Sequence, residues 1–88
     1  MRPPFLEVTF RRGRPLAAYV RLAPSRVAGA TTREVFPGLL VDVAPSGEPQ
    51  GLEILAFDPA TLAKINDVLA SFGKPALSDK ELEPLRAA

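Results

Sequence analysis

The chain of 88 residues contains no cysteine and no histidine. Without cysteine it forms neither disulfides nor thiolate metal sites. Without histidine it lacks the commonest metal ligand and the side chain that moves protons near neutral pH. Most familiar active sites are therefore out of reach. The chain also lacks any run of about 18 apolar residues, so no segment reads as a membrane span. Its start, Met1-Arg2-Pro3-Pro4-Phe5, lacks the apolar stretch of a signal peptide. These absences lead us to expect a cytoplasmic protein that is not an enzyme and has no cofactor, no catalytic residues and no metal ligands. At this length we expect one domain over residues 1–88. Such a domain buries roughly 60–65% of its unfolded surface, enough for a core with little margin.

What is present is unevenly distributed. The net charge of +1 argues against a protein built chiefly to hold polyanions. Yet residues 1–36 carry seven arginines against Glu7 and Glu34, whereas residues 37–88 carry four basic and eight acidic side chains. The bland consequence is internal charge complementarity, and the sharper one is a polarised surface. Arginine outnumbers lysine and there are ten prolines, a composition compatible with a GC-rich genome or a thermostable protein.

Leu6, Val8 and Phe10 alternate with Glu7 and Thr9, the period of a strand with one buried face, which predicts a strand over 5–10. Arg11-Arg12-Gly13-Arg14-Pro15 breaks the pattern. Ala18, Val20 and Leu22 then alternate with Tyr19 and Arg21 to complete a hairpin. After a looser connection over 23–30, residues 31–36, 39–44 and 50–55 read as three more strands. They are separated by Pro37-Gly38 and by Pro45-Ser46-Gly47-Glu48-Pro49. The expectation is a five-stranded antiparallel meander over residues 5–56. A tight turn at Pro37-Gly38 places Arg33 opposite Asp42, whereas a one-residue bulge pairs Arg33 with Val41, and the sequence favours neither.

Asp58 before Pro59 is a helix start, because aspartate caps free backbone N–H groups and proline suits the first helical position. Leu62, Ile65, Leu69 and Phe72 follow at helical spacing, and Gly73-Lys74-Pro75 stops the pattern, which predicts a helix over 59–72. Its apolar stripe must cover one face of the sheet. In the tail, 74–88, Ser78 and Glu81 have capping-box spacing, with Leu77 and Leu82 placed as a hydrophobic staple. Pro84 limits that second helix to a turn or two. Leu82 and Leu85 either fasten it to the domain or form a docking motif for another chain. The fold class is α+β.

Tyr19-Val20-Arg21-Leu22, Thr32-Arg33-Glu34-Val35, Gly38-Leu39-Leu40-Val41-Asp42-Val43, Gly47 and Gly51-Leu52-Glu53-Ile54-Leu55 occur in order at characteristic distances. Over residues 8–56 this pattern resembles the YuzE-like family, small bacterial proteins classed as a domain of unknown function. The resemblance implies an antiparallel sheet and carries no established catalytic residues. Its members often place acidic residues after the first strand, where this chain has Arg11-Arg12-Gly13-Arg14. Some relatives look like partners of small toxin-like proteins, so the resemblance implies an antitoxin-like role as one hypothesis.

Glu34, Asp42 and Glu53 fall on adjacent strands, where clustered carboxylates can serve acid–base chemistry or hold Mg²⁺ or Ca²⁺. No metal-binding loop accompanies them, and cross-strand pairing with Arg21 or Arg33 is the stronger reading. Ser46, with no base to activate it, is a turn residue. Arg11, Arg12 and Arg14 on a hairpin tip, with Arg2 and Arg26 as neighbours, form a basic group able to grip phosphates. Neither a helix-turn-helix nor the aromatic signature of RNA-binding sheets is present, and a solvated turn is the plain alternative. The sheet face opposite the helix offers Tyr19, Phe36, Leu40 and Leu55 as apolar contacts. The leading expectation is a non-enzymatic, homodimeric protein-interaction module that also receives a small protein partner. Nucleic-acid binding through the Arg-rich turn is the alternative.

Overall fold

The computed structural model describes residues 5–24 and 27–86. Its elements are β1 (Phe5–Arg11), β2 (Arg14–Arg21), β3 (Thr31–Phe36), β4 (Leu39–Val43), β5 (Pro49–Ile54), α1 (Pro59–Ser71) and α2 (Asp79–Arg86). The five strands form one antiparallel sheet, so the α+β class and the strand content are as expected. The order is not that of a sequential meander, however. It runs β1-β2-β5-β4-β3, with β5 inserted between β2 and β4.

Burial explains this correction. Leu52 and Ile54 on β5 are fully enclosed, and five of the six β5 residues are buried. Such a strand gains most at the centre of the sheet, where apolar neighbours flank it on both sides. Thr31, Thr32, Arg33 and Glu34 on β3 are all exposed. The edge position leaves those polar side chains in water and avoids their desolvation.

The turn between β3 and β4 takes the bulged register of the two that the sequence leaves open, with Arg33 opposite Val41 and not Asp42. Phe36 faces Leu39 across the two-residue turn, and a bulge at Val35 then shifts the pairing so that Glu34 opposes Leu40 and Arg33 opposes Val41. This places Thr32 opposite Asp42. Gly38 has φ of 86°, which only glycine adopts readily, and a Cβ there would also press on Ala56.

The helices cover one face of the sheet. Val20, Leu39, Val41, Leu52 and Ile54 pack with Ile65 and Leu69 of α1 and with Leu77, Leu82 and Leu85 of the tail. Asp58 caps α1 by accepting from the Thr61 N–H at 3.2 Å and from the Thr61 hydroxyl at 2.7 Å. Those two bonds, the hydroxyl first, hold its carboxyl below the ordinary value. Thr61 is buried, and its hydroxyl oxygen lies 3.2 Å from the Pro37 carbonyl, which ties the helix start to the β3–β4 turn.

The far end of α1 closes with Gly73 at φ 68°. The Gly73 N–H donates to the Ala70 carbonyl and the Lys74 N–H to the Leu69 carbonyl, a Schellman arrangement. From there the chain is clamped by Asn66, whose amide donates to the Leu77 carbonyl at 3.1 Å and accepts from the Leu77 N–H at 2.8 Å. At α2 the capping box forms in both directions, Glu81 N–H to Ser78 Oγ and Ser78 N–H to Glu81 Oε1. Leu77, Leu82 and Leu85 are all buried, so they fasten the tail to the domain and are not displayed for another chain. Pro84 lies inside α2, which spans eight of the described residues.

Candidate interaction surface

Antiparallel pairing puts directly opposed residues on the same face, so the register divides the sheet into two surfaces. Leu6, Val8, Ala18, Val20, Leu52, Ile54, Leu39 and Val41 belong to the helix-covered face. The other face is built in rows. One row crosses all five strands as Glu7, Tyr19, Glu53, Leu40 and Glu34. Arg21, Gly51, Asp42 and Thr32 form the next. None of these residues belongs to the core shared with the helices. We call this surface the open face.

A local arrangement of Tyr19, Gly51 and Asp42 organises the second row. The Tyr19 ring, rooted on β2, crosses β5 above Gly51, where a Cβ would collide with the ring and hydroxyl. Its hydroxyl donates to Asp42 Oδ2 on β4 at 3.4 Å, while Thr32 on β3 donates to Asp42 Oδ1 at 2.6 Å. Asp42 is only 3% exposed, and these donors meet the polar need of its buried carboxylate. The missing side chain at Gly51 is what allows an aromatic ring to span a strand here.

Glu34, Asp42 and Glu53 do share the open face. They are not a compact trio: Leu40 separates Glu34 from Glu53, and Thr32 and Tyr19 engage Asp42. No three acidic residues come together to hold a metal ion among the described residues. Arg21 donates from Nη2 to Glu7 Oε1 at 3.4 Å. Arg33 stands opposite Val41, on the helix side, so of the two arginines offered as partners only Arg21 is on the face of these acids.

At the β1–β2 end the sheet narrows to an arm. β5 pairs with β2 only from Ala18 to Arg21, so Arg14 to Ala17 are held by β1 alone. Arg12 and Gly13 at the tip have φ of 53° and 77°. Positive φ at both central residues is the I′ geometry that suits a two-residue hairpin. Arginine is an uncommon occupant of the first such position. Arg11, Arg12 and Arg14 border one shallow hollow with Pro15 and Leu16. Arg2 and Arg26 lie outside the described residues. Phe10 and Leu16 are 53% and 55% exposed, beside a bulge between Thr9 and Phe10.

Of the four apolar residues expected on the surface, Tyr19 and Leu40 lie on the open face, both half-buried. Leu55 is 51% exposed, follows Gly51 and Glu53 in the alternation, and donates its N–H to the Gly38 carbonyl. Phe36 is different. It opposes the buried Leu39 and packs on the helix side, with Lys64 Nζ 5.7 Å from its ring centre. The bulge at Val35 puts it there by breaking the alternation between Glu34 and Phe36. Sequence reading missed the exposed pair Phe10 and Leu16, because apolar residues in strand positions look like core until the strand is seen to outrun the helices.

No family model, no curated protein and no solved structure matches the chain. No helix among the described residues is long and apolar enough to cross a membrane.

Proposed function

We propose that the chain is a non-enzymatic interaction module that associates with a second copy of itself through the open face and the β1–β2 arm. One observation carries this reading: the open face runs, past a bulge between Thr9 and Phe10, onto a two-stranded arm that no third strand supports. A two-stranded hairpin is marginally stable in water by itself, so such an arm gains from being held against another surface. A homodimer, and in an antitoxin-like role a small protein partner, uses the same surface. The segments that resemble the YuzE-like family form β2 to β5, and membership of that family is part of the same proposal.

Equilibrium sedimentation from micromolar to millimolar protein tests the reading. A mass that rises from one chain to two is the expected result, and a single-chain mass throughout overturns it.

A second reading rests on the hollow at the arm tip, where Arg11, Arg12 and Arg14 converge and, among the described residues, make no ion pair. Under this reading the tip binds phosphates of a nucleic acid. Affinity for a single-stranded oligonucleotide then falls with salt, with a logarithmic slope of about 0.7 per phosphate engaged. Replacing the three arginines by alanine flattens that slope, and unchanged affinity in this variant discards the reading.

A further inference from the structure

The open face has a charge order along the strands that has a self-complementary partner. The β1–β2 ladder pairs Arg11 with Arg14, then Thr9 with Ala17, then Glu7 with Tyr19. A bulge leaves Leu16 unpaired between the second and the first of these, but the opposed pairs on either side of it keep one alternating series along β1, so they follow one another on the open face. Read from the tip inward, the surface is basic, then small and uncharged, then acidic. Glu53 on β5 stands beside Tyr19 and adds to the acidic end. Among the described residues neither Arg11, Arg14 nor Glu53 has an ion-pair partner within the chain.

Resting on the self-association proposed above, we infer that two copies stack open face to open face about a two-fold axis passing over Thr9 and Ala17. The arginines of each arm then lie over the acidic row of the other copy. The spacing fits. On β1, which carries no extra residue, Arg11 and Glu7 each stand two positions from Thr9, about 7 Å to either side, whereas on β2 the bulge inserts Leu16, so that Arg14 opposes Arg11 from three residues beyond Ala17. A two-fold rotation that reverses strand direction and faces one sheet to the other brings the basic pair of one copy over the acidic pair of its mate. It does so twice, as an isologous interface requires. Glu53 is one strand, about 4.8 Å, to the side of Tyr19, within the sweep of a long arginine side chain. Thr9 and Ala17 at the axis are small, and Leu16, the bulge residue next to Ala17, is 55% exposed.

The occupant of the open face is therefore a second copy, chosen by charge. Tyr19 and Leu40 supply apolar contact beside the charged row. The acidic residues that line the face work against a nucleic acid lying across it.

Two complementary variants test this geometry. Arg11→Glu with Arg14→Glu makes the arm acidic, and Glu7→Lys with Glu53→Lys makes the face basic. All four positions carry exposed or half-exposed side chains outside the core. Each variant alone is expected to self-associate at least about tenfold more weakly than the parent chain, because like charges meet at both contacts. An equimolar mixture is expected to recover association, since both contacts then pair opposite charges.

If the parent dimerises and both variants dimerise equally well, this arrangement is wrong while self-association stands. A parent that stays monomeric to millimolar concentration removes both. Two monomeric variants that fail to associate on mixing also overturn the pairing.

The cysteine-free chain allows a check that needs no charge reversal. Arg11→Cys mixed with Glu7→Cys, positions that the two-fold axis places over one another, should be joined into a heterodimer by a short bis-maleimide cross-linker able to span the roughly 10 Å between facing sheets. Yields no higher than for an Arg11→Cys and Lys80→Cys mixture would contradict the inferred contact.

Discussion

Gly51 is constrained by space. The Tyr19 ring occupies the volume that any side chain at position 51 would need, and the two residues sit on neighbouring strands. Gly51→Ala should therefore destabilise the protein by about 1–3 kcal/mol, the usual cost of forcing extra atoms into a packed site. If the clash is the cause, the penalty shrinks when the ring is absent. Chemical denaturation of Gly51→Ala, Tyr19→Ala and the double variant gives the coupling directly. A Gly51→Ala penalty of the same size with and without Tyr19 would show that something other than this contact requires glycine. Asp42 shows a related economy at the same scale: a carboxylate on a sheet face is kept buried because Thr32 and Tyr19 reach it from either side.

At the scale of elements, the helix caps carry most of the local specification. Asp58, Gly73, Ser78 and Glu81 each play the part that their position in the sequence suggests. The cap at Asp58 has a pH signature. The folded state binds its ionised form through the Thr61 hydroxyl and N–H, which lowers the folded pKa beneath the unfolded one. The resulting stabilisation is complete above the unfolded pKa and disappears as pH falls through the lowered folded value. The parent should therefore lose more of its thermal midpoint on acidification below pH 4 than Asp58→Asn does, with the variant flatter over that range. Melting curves across acidic pH decide this, and parallel curves would assign the acid limb to other carboxylates. The arm is the opposite kind of element, specified by its turn and by β1–β2 pairing alone, with Arg12 holding a backbone conformation that asparagine or glycine adopts more easily.

For the whole molecule, the sheet is two-sided by design of charge as well as of burial. One face is sealed by α1, the Asn66-clamped linker and α2. The other carries an acidic row and, at the arm, a basic pair. The excess of basic residues in the first 36 positions is thus partly concentrated at one tip, and the acids that answer it come from β1, β3 and β5. Association driven by such contacts should weaken as salt rises, because exposed charges are screened beyond about 8 Å at physiological ionic strength. Sedimentation at 50 mM and 500 mM NaCl, about a tenfold range over which screening tightens, measures the effect. A dimer insensitive to salt would point to an apolar interface centred on Leu40 and Leu55.

Much of this architecture was legible in the residues. Period-two alternation located β1 and β2, turn residues located the breaks, and the Asp58-Pro59 and Gly73 signals set α1 to within a residue of its observed end. These are local effects, in which a residue's own conformational preference and its nearest neighbours decide the outcome. Which strands pair is a different matter, since alternation does not name a partner. The placement of β5 between β2 and β4 depends on which strand profits most from being enclosed on both sides, a comparison made only among all five together. The face on which Phe36 lies turned on a single bulge at Val35, because one extra residue inverts the alternation. The need for glycine at position 51 arose from a tyrosine 32 positions earlier in the chain. Sequence alone determined the elements, their ends and the chemistries this chain lacks. Tertiary structure alone decided which residues share a face, because that depends on contacts between strands far apart along the chain.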